Sequence, residues 1–240
     1  MIRTATFAAL AFLVLAGTAQ AQATPQSAPE SASQGAGSWS FSFGAATDNR
    51  SKDASKSRGD AYAWGAAEWE SASGLFYAGP GFETVKSSTG SELEFEAGAG
   101  MRPEIAGFDL DLNATYKYQI DADPGADNTA WELTADIKRS IGPASARVRL
   151  QHSPDGMGST EAWTWIALRG GWDFSDKLTG TAEIGRREQD ASIDYTGWNA
   201  GFTYALTRNI EAEVRYYDTD ADPANPQYAD ALVAGLSFSF

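Results

Sequence analysis

From residue 38 onward, apolar and polar positions alternate with a period of two. Trp39, Phe41, Phe43 and Ala45 alternate with Ser38, Ser40, Ser42 and Gly44. Leu93, Phe95, Ala97, Ala99 and Met101 alternate with Glu92, Glu94 and Glu96. Phe108, Leu110, Leu112, Ala114, Tyr116 and Tyr118 are separated by Asp109, Asp111, Asn113, Thr115 and Lys117. The same rhythm runs through Trp131 to Lys138 and Ile210 to Tyr216. A helix cannot use this pattern, because residues two apart do not share a helix face, whereas on a strand they do. The alternation predicts strands at 38–47, 61–70, 75–86, 91–103, 108–120, 129–140, 144–153, 161–174, 178–188, 195–205, 210–219 and 230–240. Their lengths suit tilted strands that cross a bilayer.

The connections alternate in character. Those at 71–74, 104–107, 141–143, 175–177 and 206–209 are tight, whereas 48–60, 121–128, 154–160, 189–194 and 220–229 are longer and polar; 87–90 is a short exception. Tight turns at one end and longer loops at the other is the layout of an outer-membrane barrel. An even strand number brings both chain ends to the tight-turn, periplasmic side. The loops at 48–60 and 220–229 are then expected to lie outside and open to protease.

A soluble β-sandwich would use fewer, shorter strands and would not place aromatic residues at strand ends so often. Trp39, Trp69, Phe108, Tyr116, Tyr118, Trp131, Trp172, Phe174, Trp198 and Tyr204 fall near predicted ends, as interfacial girdles require. The last strand alternates through Leu232, Ala234, Leu236, Phe238 and Phe240. A terminal Phe on such a strand resembles a Gram-negative assembly signal, which makes Leu236, Phe238 and Phe240 candidates for contact with the barrel-assembly machinery.

Residues 1–21 read as a signal peptide. A basic start at Arg3 is followed by an apolar run from Ala5 to Ala16 and then small residues, with cleavage after Ala21 or Ala23. The run, of roughly twelve residues, is shorter than the ~18 a spanning helix needs. Residues 22–37 are rich in Ala, Ser, Gln, Pro and Gly and read as a disordered periplasmic tail. The predicted organisation is therefore signal peptide 1–21, tail 22–37 and barrel 38–240.

Composition narrows the function. There is no Cys and one His, so thiolate chemistry, disulfides and a multi-histidine metal centre are excluded. A net charge of −14 and a pI near 4.4 argue against nucleic acid as a partner. With 24 Gly and 12% aromatic residues, the mean hydropathy is still −0.35, as expected where only every second residue faces lipid.

Three stretches carry a family resemblance. Gly74-Leu75-Phe76-Tyr77-Ala78-Gly79 follows a tight turn, and Ala130-Trp131-Glu132-Leu133-Thr134-Ala135 lies within a strand. Tyr216-Tyr217-Asp218-Thr219-Asp220, then Tyr228 to Ala231 and a final Ser-Phe, close the chain. Together they resemble the TorF family, a proteobacterial group of porin-like outer-membrane barrels. Asp48-Asn49-Arg50-Ser51 stands where that family usually has an aromatic and arginine stretch. The resemblance implies barrel form and location, and no particular solute.

Catalysis is not expected. The one His, His152, adjoins Ser153, but adjacent strand residues point to opposite faces and cannot form a nucleophile–base pair there. No calcium-loop pattern accompanies Asp121/Asp123, Asp218/Asp220/Asp222 or Glu92/Glu94/Glu96, which read as solvated acids. No cofactor is implied.

Parity assigns the lumen. On the fourth to sixth predicted strands the inward charges are Glu92, Glu94, Glu96, Arg102, Asp109, Asp111, Lys117, Glu132, Asp136 and Lys138. On the seventh to ninth they are Arg147, Arg149, Arg169, Asp173, Glu183 and Arg187; Glu211, Glu213 and Arg215 follow on the eleventh. The first arc is mostly acidic and the second mostly basic. Two outcomes are open: a water-filled pore with a transverse field, or acids and bases paired across a narrow, plugged barrel. The expectation is an all-β transmembrane antiparallel up-and-down barrel of about twelve strands that passes small polar solutes with mild cation preference. The alternatives are a closed anchor barrel and an outer-membrane lipid hydrolase.

Overall fold

The computed structural model describes residues 37–158 and 160–240. The signal peptide and nearly all of the predicted tail lie outside the described residues. Among the described residues, twelve long strands form one sheet: β1 Ser38–Ala46, β2 Tyr62–Glu70, β3 Phe76–Thr84, β4 Leu93–Met101, β5 Phe108–Ile120, β6 Thr129–Ile141, β7 Ala144–Ser153, β8 Trp163–Ser175, β9 Leu178–Gln189, β10 Tyr195–Ala205, β11 Ile210–Thr219 and β12 Ala231–Ser239. Each pairs antiparallel with its sequence neighbours, and β1 pairs with β12, so the sheet closes on itself. Closure leaves no open sheet edge, which a bilayer would not tolerate.

The seam between β1 and β12 runs from Ser42 opposite Ser239 to Ala46 opposite Gly235. Phe240 extends it by exchanging backbone hydrogen bonds with Phe41, and its ring stacks on Phe43 at 5.8 Å. Phe238 stacks on the same ring at 4.9 Å. The terminal aromatic residues therefore join the closing strands on the outer face.

The register explains why the sequence alternates. Leu110, Ile137, Val148, Leu168, Ile184 and Trp198 are successive cross-strand partners from β5 to β10. The neighbouring row, one residue along each strand, is Asp109, Lys138, Arg147, Arg169, Glu183 and Asn199. The apolar row faces out: Val148, Leu168 and Ile184 are about half exposed. The charged side faces in: Arg147, Arg149 and Arg187 are buried. Apolar outside and ionised inside is the distribution of a barrel that sits in lipid, where a guanidinium on the outer face would cost about 2–4 kcal/mol at mid-depth.

The two ends differ as expected, with one correction. Tight turns join β2–β3, β4–β5, β6–β7, β8–β9 and β10–β11 at one end. Several use left-handed backbone, with Gly74 at φ 70° and Gly142 at φ 57°. At the other end, the loop 47–61 does not stand out in solvent. It folds back into the barrel, where Asp48, Asn49, Ser51, Lys52, Asp53, Ala54, Ser55 and Ser57 are all buried. Within it, Arg50 and Ser51 pair with Ser55 and Ala54 as a two-residue hairpin. Its turn residues, Lys52 and Asp53, both have positive φ, at 50° and 65°. Positive φ at both turn residues is what a two-residue hairpin of type I′ requires, a conformation that favours Gly or Asn.

The proteolysis expectation changes accordingly. Only Arg58, Gly59 and Asp60 of the 48–60 stretch are exposed, whereas residues 222–226 are exposed throughout. Protease added to the folded barrel is expected to cut first within 222–226 and to leave 48–57 intact. Mass spectrometry of the fragments checks this; early cleavage between 50 and 56 would mean that the hairpin is not seated.

Candidate functional site: the barrel lumen

The interior wall is a chain of ion pairs between neighbouring strands. On β4 and β5, Lys117 Nζ lies 2.8 Å from both Glu94 Oε1 and Glu96 Oε1. Gln119 donates to Glu94 Oε2 at 3.1 Å. Carboxylate oxygens of Glu83, Glu94 and Glu96 lie within 4.8 Å of one another. These glutamates are therefore buried inside, and the solvated reading of Glu94 and Glu96 is corrected. The crowding is tolerated because ammonium groups sit among them: Lys117 from the wall, and Lys56 from the inward loop, which reaches Glu83 and, at 2.9 Å, Glu94.

The basic strands are neutralised in the same way. Arg149 makes a bidentate contact to Asp136, 2.7 and 2.6 Å long. Glu183 accepts from Arg147 and Arg169, both at 2.8 Å. Arg215 contacts Glu213 and donates to Asn199 Oδ1 at 2.6 Å and Thr181 Oγ1 at 2.7 Å. Arg187 lies over the Trp163 ring, 4.3 Å from its centroid. The two arcs of opposite sign are thus not two bare walls facing each other. Each cluster of one sign draws partners of the other from nearby wall positions, as Glu183 does for Arg147 and Arg169, because an ion buried without a partner costs several kcal/mol.

Some parity candidates lie at the rims. Glu92 is exposed, just before β4 at the long-loop end. Asp109 and Asp173 are exposed at the tight-turn end, Asp173 accepting from Thr179. Lys138 and Glu211 are half-buried. Arg102 gathers Glu68, Glu70 and Asp111 and lies over the Tyr77 ring at 3.6 Å. His152 contacts Thr164 Oγ1 at 3.1 Å, while Ser153 donates instead to the Asp155 carbonyl.

The hairpin of loop 47–61 is the feature sequence reasoning missed. Lys52 Nζ is 3.7 Å from Glu132 Oε2 and lies over the Trp163 ring at 4.4 Å. Its carbonyl accepts from Tyr195 Oη at 2.8 Å. Asp53 accepts from Asn199 Nδ2 at 2.6 Å, and Asn49 donates to Glu83 Oε2 at 3.0 Å. The hairpin rests on an apolar cluster inside the barrel formed by Ala54, Trp163, Trp165, Ala167, Tyr195 and Tyr228. From above, loop 220–230 holds it: Arg50 donates to the Ala229 carbonyl at 2.7 Å, and Ser55 N to the Gln227 carbonyl at 2.8 Å. One signal was readable. Trp163, Trp165 and Ala167 alternate with Ile166 and Leu168, so the first half of β8 is apolar on both faces. In a barrel, such a strand has something packed against its inner side.

On the tight-turn side of the hairpin the lumen keeps a cavity of about 100 Å³. Its charged lining is Glu68, Glu96, Asp111, Glu132 and Asp136 against Arg102 and Arg149. Glu132 reaches both zones: Gln151 donates to its Oε1 at 3.0 Å, and its Oε2 faces Lys52. The charged side chains that line the cavity are acidic on balance, and Glu132 links it to the seated hairpin.

These features can be set beside known proteins. The chain matches the Gcw_chp family, described as bacterial proteins of unknown function, over residues 32–235, and it belongs to that family. No curated protein matches it. Among solved structures it is similar to the KdgM porin, at a TM-score of 0.59 and 10% identity, over 84% of this chain and 99% of that one. A second KdgM structure, in complex with disordered oligogalacturonate, matches with the same TM-score, identity and coverage. The NanC porin is similar at a TM-score of 0.55 and 8% identity, over 84% and 99% of the two chains. At these identities the shared property is the fold: a closed antiparallel barrel of porin form.

Proposed function

We propose that this protein is a porin-like channel of the Gram-negative outer membrane that passes small polar solutes by diffusion. The observation that carries the reading is the inverted side-chain distribution: an apolar belt outside and an ionised, cavity-bearing lumen inside, on a closed porin-form barrel. The TorF resemblance supports the same reading, since its stretches fall on β3, β6 and the β11–β12 end. In this reading a signal peptide directs export, and Leu236, Phe238 and Phe240 present the last strand to the assembly machinery.

The lining favours one class of solute. KdgM has been captured with oligogalacturonate, a polyanion. Here the cavity is lined by more carboxylates than guanidinium groups, and both guanidinium groups are already engaged. Small neutral or cationic solutes suit it better than polyanions. Purified protein in a planar bilayer is therefore expected to conduct, with a reversal potential on the cation side in a potassium chloride gradient and the preference weakening as salt rises. Anion selectivity would remove the electrostatic part of this reading; a correctly folded barrel that stays silent even with residues 50–56 replaced by a short Gly/Ser link would remove the rest.

A further inference from the structure

We infer that the hairpin at residues 50–55, with Lys56, is a gate seated in its closed position, and that its withdrawal opens a cation-selective path through the barrel. The inference rests on the channel reading above and adds where the path is closed and by what.

Three observations point to a gate rather than a fixed plug. The first is what holds the hairpin. Its own apolar contribution to the lumen cluster is one small side chain, Ala54. The remaining contacts are made by charged or polar groups: Lys56 to Glu83 and Glu94, Lys52 to Glu132 and over the Trp163 ring, Arg50 over the Tyr217 ring, Asp53 to Asn199, and the backbone links to loop 220–230. Water can replace contacts of this kind when the segment leaves, whereas it cannot replace a large apolar interface.

The second is what seating sacrifices. Ser51 Oγ and Asp53 Oδ2 are buried without a hydrogen-bond partner among the described residues. Buried polar atoms are normally satisfied, and each exception weakens the state that contains it. The turn adds strain, because Lys52 and Asp53 both take left-handed backbone without being glycine. Burial also pushes the Asp53 carboxyl up to about 7, against the lowering effect of Asn199, and pulls the Lys52 ammonium well below its ordinary range, against Glu132. The seated hairpin is thus held by exchangeable contacts and opposed by strain and desolvation.

The third is charge. Residues 50–56 carry Arg50, Lys52 and Lys56 against one acid, Asp53. When they leave, the lumen loses a net charge of about +2, counted with ordinary side-chain charges. Glu83, Glu94 and Glu132 then lose the cations supplied by the loop, and Lys117 alone remains among the first two and Glu96. The wall so exposed attracts cations. The closing element and the selectivity of the open path are therefore properties of the same few residues.

Two variants test this in planar bilayers, each first checked for folding by heat-modifiable gel migration. In one, residues 50–56 are replaced by a short Gly/Ser link. In the other, Asp53→Cys is combined with Gly197→Cys. A Cβ at Gly197 would lie 2.5 Å from Asp53 Cβ, about 1 Å inside the usual disulfide spacing, and the chain has no other Cys. The wild type is expected to show brief openings from a closed baseline. The Gly/Ser variant should stay open, with an open fraction at least about tenfold higher, the change expected from losing one charge-assisted contact. It should also be more cation-selective by reversal potential. The cysteine pair should be silent when oxidised and should conduct after reduction. Equal conductance in the oxidised and reduced pair would overturn the gate. So would a conducting Gly/Ser variant beside a wild type and a reduced pair that never open, since the hairpin would then be a fixed plug. A folded Gly/Ser variant that does not conduct would instead overturn the channel reading, and the gate with it.

Discussion

Replacing Lys117 with methionine is expected to lower the unfolding free energy of the barrel by about 3–5 kcal/mol, the usual consequence of removing one partner from a buried ion cluster. Lys117 is 1% exposed and sits 2.8 Å from one oxygen of Glu94 and one of Glu96. Glu83 is close enough for the three carboxylates to repel one another once the ammonium is gone. Lys56 would remain the only cation with a described ion pair to Glu83 or Glu94. Methionine fills most of the same volume, so the loss is electrostatic rather than a cavity. Adding Glu96→Gln to Lys117→Met should restore a large part of the stability, because it removes one of the stranded charges. Urea unfolding in lipid vesicles, followed by tryptophan fluorescence, measures both. A loss below about 1 kcal/mol for Lys117→Met would mean that the cluster is as well hydrated as a surface pair.

That cluster also marks how far the sequence is legible. Strict alternation in β4 and β5 put Glu94, Glu96 and Lys117 on one face, because parity is a property of the strand alone. Glu83 belongs with them but is the only charged residue of β3, and its strand carries Gly79, Pro80 and Gly81 instead of a polar row. Parity could not show that Arg147 and Arg149 would find Glu183 and Asp136, since pairing depends on register between strands, and local alternation does not encode register. The inward hairpin was the least legible part. The stretch from Asp48 to Asp60 is nearly all charged and small, which ordinarily describes a solvated loop. It is buried here because the lumen is itself polar: Glu83, Glu94, Glu132 and Asn199 supply the partners that water would otherwise supply. In a barrel with an ionised interior, a hydrophilic loop can have its best contacts inside.

Replacing Leu168 with lysine should cost about 2–4 kcal/mol in vesicles, the depth-dependent cost of a charge on the lipid face near mid-membrane. The site gives an unusually direct contrast. Leu168 is 54% exposed and makes the outer row with Val148 and Ile184. The next residue, Arg169, carries a native charge and points inward, where Glu183 accepts from it at 2.8 Å. One step along β8 therefore separates a position that demands a charge partner from one that excludes charge. In water, a half-exposed leucine on a sheet surface could become lysine almost without effect, since surface substitutions generally stay within about 0.5 kcal/mol. The measured value thus reports the solvent around the barrel. Reversible urea unfolding of wild type and Leu168→Lys in the same vesicles gives it, with Arg186→Lys as the control at an already charged outer position near the long-loop end. A difference under about 0.5 kcal/mol between Leu168→Lys and the wild type would place the outer face of β8 in water and remove the membrane from this account of the fold.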